Sequence, residues 1–166
     1  MYEAIVLIHV VAILVFAGAH LVSGVAMFQA RSEGDRGRLT AVLGRSSQAL
    51  IVAVIALLVA LLVALITGVV LAFMGELWGR FWIWASIGLI VVVGGLMTPM
   101  ATIPMNQLRG ALGMQVGKPK EGEAAPVPHD DATVAAARAK LRPEMVAVIG
   151  VVGYLAIVWL MMSKPF

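Results

Sequence analysis

Four long apolar stretches, Ala4–Ala30, Ala49–Met74, Phe81–Met105 and Met145–Met162, dominate this chain and restrict the environment it can fold in. A helix needs roughly 20 such residues to cross about 30 Å of hydrocarbon. Within lipid, every backbone N–H and C=O must be bonded inside its own segment, so the stretches become helices. The expected fold class is all-α: a single four-helix transmembrane bundle over residues 1–166, with a linker at about 106–144. A soluble domain of 166 residues does not carry 61% hydrophobic and 13% charged residues with a mean hydropathy of +1.00.

The first stretch reads as a retained helix rather than a secretory signal. Its start, Met-Tyr-Glu, has no Lys or Arg, and its apolar run exceeds the usual ~7–15-residue signal core.

Charge sets the expected orientation. Loop one carries Arg31, Arg36, Arg38 and Arg45, and loop three carries Arg109, Lys118, Lys120, Arg138, Lys140 and Arg142, leaving only Arg80 and Lys164 opposite. By the positive-inside rule, loops one and three are cytoplasmic and both termini lie outside. Trp78, Trp82, Trp84, Trp159 and Tyr2 then fall near the outer boundary, where amphipathic rings prefer to sit. The net charge of +3 borders hydrophobic spans and is interleaved with Asp and Glu, so the expected partner is membrane lipid and not nucleic acid. A homo-oligomer or a larger membrane complex is a further expected partner.

Membrane helices associate through close contact at small residues. Ala53, Ala56, Ala60, Ala64 and Gly68 form such a stripe on the second helix, and the first, with Ala19, Ser23, Ala26 and Ala30, is expected to dock there. Gly88 and Gly95 share a face of the third. Pro99 and Pro104 remove backbone donors, so that end of the third helix should kink or stop, with Thr98, Thr102 and Asn106 near the freed carbonyls. A transporter with broken helices would need a matching break elsewhere, and none is present.

Arg36–Gln48 suits either an extension of the second helix or a helix lying at the interface. Gly117–His129, rich in Pro, Gly and charge, reads as a linker without fixed structure that holds a solvated His129. Asp130 or Asp131 can cap a short helix through Ala132–Leu141, and Pro143 suits the first turn of the last span.

The chemical handles at membrane depth are His9 and His20 on the first helix, since intramembrane ionisable groups are functional candidates by default. Eleven positions apart, they point almost the same way but are separated by roughly 16 Å along the axis. Their stripe is His9, Phe16, His20 and Met27. No cysteine is present, which excludes disulfides, thiolate metal sites, iron–sulfur clusters and c-type haem. The candidate cofactor-binding residues are His9, His20 and Met27, with His9 the candidate metal ligand. The cofactor would be haem b or copper, completed by a methionine such as Met74, Met97, Met100, Met145, Met161 or Met162. The competing reading has both imidazoles bonded to helix carbonyls or to the Ser23 or Thr67 hydroxyls, with the methionines filling the core.

The run His9-Val-Val-Ala-Ile-Leu-Val-Phe16-Ala-Gly18, the Arg-bearing loop after it and the terminal Ser-Lys164-Pro165-Phe166 resemble a group of small bacterial four-helix membrane proteins. That group includes an uncharacterised family of predicted integral membrane proteins, nearest in length and layout, the CopD-like copper-resistance proteins and the HemJ family. The resemblance implies a multi-pass protein of the bacterial inner membrane. Its HemJ branch further implies protoporphyrinogen oxidation, with a haem-associated first-helix histidine at the position of His9, and Phe16 stands where an aromatic residue is usual. The HemJ-type lysine of the third helix has no counterpart between Arg80 and Arg109, and the Pro-Arg pair after the first helix is missing. Both departures argue against that activity.

Hydrolase chemistry has little support, because no Ser–His–carboxylate set can be placed together and Glu3 and Glu76 are the only carboxylates near the outer boundary. The leading expectation is an accessory or scaffold subunit that packs in the bilayer, with no enzymatic activity. A haem- or copper-binding bundle is the alternative, and a HemJ-like oxidase the second alternative.

Overall fold

The computed structural model describes residues 1–118 and 124–164, with residues 45–50 described for their backbone alone. Lys120, the side chain of Arg45, the middle of the linker and the terminal Pro165 and Phe166 lie outside the described residues.

All regular structure described is helical: α1 Tyr2–Ser32, α2 Arg36–Met74, a 3-10 turn Leu77–Gly79, α3 Phe81–Ala111, α4 Asp131–Ala139 and α5 Pro143–Ser163. Four helical segments are long and apolar enough to cross a membrane. α2, at 39 residues, is about 58 Å long and outruns the hydrocarbon. Arg36–Gln48 is therefore a continuation of α2 and not a separate interfacial helix.

Local chemistry explains the starts of three helices. The Asp35 carboxylate accepts the Arg38 N–H at 2.8 Å, and Asp130, of the two candidates, accepts that of Thr133 at 2.8 Å, each filling an orphan donor of a first turn. Pro143 occupies the first turn of α5, where its missing N–H costs nothing.

Of the two outcomes expected at this end of the third helix, a stop does not occur: α3 stays helical through Pro99 and Pro104 to Ala111. Each proline forfeits one backbone bond, a loss that membrane helices tolerate when the flanking turns stay bonded. Thr98 and Thr102 point their side chains to the exposed surface.

α1 and α2 form an antiparallel hairpin. The buried alanines of α1, Ala12, Ala19 and Ala26, recur every seven residues, as do Ala53 and Ala60 on α2, so the seam is a small-residue zipper. α3 pairs with α5, and here the expected seam is corrected. Gly88 and Gly95 are exposed and have nothing near them, whereas Gly150 and Gly153 of α5 bring the backbones together against Met97 and Val93.

Two clusters tie the pairs into one body. At the arginine end, Met27, Ala30, Leu39, Leu43, Leu108 and Leu141 are buried together, with α4 contributing Val134 and Ala137. At the tryptophan end, Ala72, Trp82, Ile83 and Leu160 meet.

The linker's far end is also corrected. Rather than free chain, His129 donates its N–H to the Ala111 carbonyl at 2.9 Å, and its own carbonyl accepts from Arg36 at 2.7 Å. Its side chain is exposed.

Candidate functional site

The α1–α2 seam places His9 against Thr67 and Gly68. His9 Nδ1 lies 3.0 Å from the Thr67 hydroxyl, and that hydroxyl lies 2.6 Å from the Val63 carbonyl and 3.2 Å from that of Ala64. Two oxygens 2.6 Å apart require a proton between them, and a hydroxyl has only one. Thr67 therefore donates to its own helix and accepts from His9, which fixes the proton on Nδ1. In the neutral ring, Nε2 is then a lone pair.

Gly68 makes room for this ring. A methyl at its Cα would stand 3.1 Å from His9 Cε1, closer than a side chain is normally accommodated, and in ordinary contact with Nδ1 at 3.7 Å. The last member of the α2 small-residue stripe is thus the bed of an imidazole.

His20 is bonded differently. Its Nδ1 donates to the Phe16 carbonyl one turn back at 3.2 Å, and the Phe16 ring lies 4.5 Å away, centroid to centroid. One turn on, the Ser23 hydroxyl donates to the Ala19 carbonyl. These bonds stay within α1 and join nothing else.

Met27 is only 2% exposed, packed with Leu39 and Leu43 at the arginine end. The structure therefore brings His9 to α2 and leaves His20 and Met27 further along the same helix, consistent with their roughly 16 Å and 27 Å axial offsets from His9. Of the methionine candidates, Met161 packs into the tryptophan-end cluster, and Met97 lies on Gly150. No group of three or more His, Asp or Glu side chains suited to a metal ion occurs among the described residues.

A second constellation lies at the arginine end, built from residues the sequence marked only as topology charges. The Arg36 guanidinium bridges the Asp131 carboxylate at 2.7 Å as well as the His129 carbonyl, and Arg138 of α4 donates to the Glu33 carbonyl. Loop one is thereby clamped to α4. Lys140 donates to the Gln107 side chain at 3.3 Å, adding a link to α3. The partners are 33 to 105 residues apart, so no local pattern announces them.

Asp130 is held in its charged form. Hydrogen bonds from the Thr133 side chain and then from its backbone N–H lower the carboxyl pKa below the ordinary value. Arg109 is the opposite case: its Nε and Nη2 are buried without a hydrogen-bond partner.

Comparison with curated proteins, and with solved structures, returned no match. A family model described as "Predicted integral membrane protein (DUF2269)" matches residues 3–165, nearly the whole chain. The chain belongs to that family of predicted integral membrane proteins.

Proposed function

We propose that the protein is a non-catalytic membrane subunit that packs laterally in the bilayer, its arginine end on the cytoplasmic side of the inner membrane. The observation that carries this reading is the His9–Thr67 bond, in which the imidazole at membrane depth joins α1 to α2. His20, Ser23 and Ser86 likewise bond to carbonyls one turn back in their own helices. Of these, the His9–Thr67 bond holds two helices together, while the other three satisfy polar groups within a single helix.

Purification in mild detergent, followed by an absorption spectrum, metal analysis and identification of co-purifying chains, tests the reading. A colourless, metal-free protein that runs as an oligomer or with a partner is expected. A Soret band, or stoichiometric copper, lost in His9→Ala overturns it.

A second reading has its own support in the tautomer of His9. Ligating histidines have the far N–H tied to a neighbour so that the other nitrogen can bind. With Nδ1–H on Thr67, Nε2 meets that condition, and it would be the nitrogen that holds haem b or copper. Met161, at the same end, packs against the core cluster there, and Met74 and Met162 are exposed; a second copy or a partner would be a further source of a second ligand.

A further inference from the structure

Arg31, in the last turn of α1, and Arg142, at the head of α5, line an open crevice of about 410 Å³ with Ala139, Leu141, Glu144 and Met145. Both guanidiniums are exposed, and neither has an ion pair or hydrogen bond among the described residues. Their neighbours Arg36 and Arg138 are committed to the clamp between loop one and α4. The crevice sits at the ends of two segments long and apolar enough to cross a membrane, with Leu141 fully buried beneath it and Met145 presenting an exposed apolar edge.

We propose that this crevice binds the headgroup of an anionic phospholipid. Guanidinium forks match phosphate oxygens in charge and geometry, and basic residues just outside a span attract anionic lipid. Glu144 offsets one of the two positive charges, so the lining carries a single net positive charge. That suits a singly charged phosphodiester, as in phosphatidylglycerol, better than a phosphate monoester carrying about −1.5 to −2. Met145 meets the first carbons of the acyl chain, a contact that free phosphate lacks.

Native mass spectrometry of the full chain, extracted from vesicles of mixed phosphatidylglycerol and phosphatidylcholine, reads retained lipid directly. The parent keeps phosphatidylglycerol in preference. Arg31→Gln with Arg142→Gln lowers that retention roughly thirtyfold, while Arg80→Gln at the other end leaves it unchanged. Glu144→Gln raises it with both arginines intact, which keeps the test decisive should the double variant fail to fold. Retention unchanged by the arginine pair, or not raised by Glu144→Gln, overturns the proposal. So does inorganic phosphate that protects the parent against heat as well as phosphatidylglycerol vesicles do.

Discussion

Gly68 of α2 offers bare backbone to the His9 ring of α1, at a distance where a methyl group would sit 3.1 Å from Cε1. The adjacent Thr67 receives the ring's Nδ1 proton at 3.0 Å. One residue supplies the space and the next supplies the bond, so the two act as a unit. Thr67→Val keeps the shape but leaves the imidazole N–H without an acceptor. Equilibrium unfolding in mixed micelles is expected to show a loss of about 0.6–1.7 kcal/mol. Added to His9→Phe, the same change costs much less, and a full additive loss in that double-mutant cycle refutes the pairing.

Gly68→Ala crowds the ring without removing a bond. Here the imidazole must retreat a few tenths of an ångström, lengthening its bond to Thr67, at a cost of roughly 1 kcal/mol. In the His9→Ala background the crowding is relieved, and Gly68→Ala becomes neutral. A loss that persists there would place the strain elsewhere.

The α3–α5 seam gives a sharper contrast. A Cβ at Gly153 would stand 2.5 Å from Val93 Cγ2, so Gly153→Ala should cost about 1–3 kcal/mol and is rescued in part by Val93→Ala. Gly88→Ala and Gly95→Ala meet open space and should be neutral or stabilising. Thermal melts of the four variants rank them directly.

These seams show which parts of the fold the sequence could disclose. Hydropathy alone locates the spans, because lipid imposes the same demand on every residue of a segment. Asp130 and Pro143 were legible too, since a cap or a first-turn proline depends on residues within one turn. Thr67 stood among several possible partners for the histidines, and only the relative rotation of α1 and α2 selects it. Gly88 and Gly95 misled because small residues also occur on lipid-facing surfaces, and spacing does not say which face meets a neighbour. The Arg36 and Arg138 clamps were invisible for a different reason: their partners lie about a hundred residues away, across a linker with no periodicity.

Asp130 gives α4 a pH dependence with a definite sign. Its carboxyl is depressed in the folded chain, so the stabilising cap is present above the ordinary carboxylate pKa and is lost as pH falls through the lowered value. Hydrogen exchange of the Thr133 and Val134 amides should therefore accelerate, relative to intrinsic rates, only in that acid window. Asp130→Asn, which can still accept from Thr133, flattens the dependence. Exchange that speeds up near neutrality instead would point to another group.

Arg109 and Arg138 lie at the same end of the bundle and should respond oppositely to truncation. Arg138 donates to the Glu33 carbonyl, so Arg138→Ala frees loop one from α4 and leaves that partly buried carbonyl unmatched, at a cost of about 1–3 kcal/mol. Arg109 has two buried nitrogens with no acceptor, a desolvation cost that nothing in the described chain repays. Arg109→Met keeps the length and apolar stem of the side chain and removes that cost, so its melting temperature should equal or exceed the parent's. A clear loss of stability in Arg109→Met would mean that an acceptor outside the described residues, in the linker, a lipid or a partner chain, meets the guanidinium. The variant's lost lipid or partner chain, compared by native mass spectrometry, would then identify it.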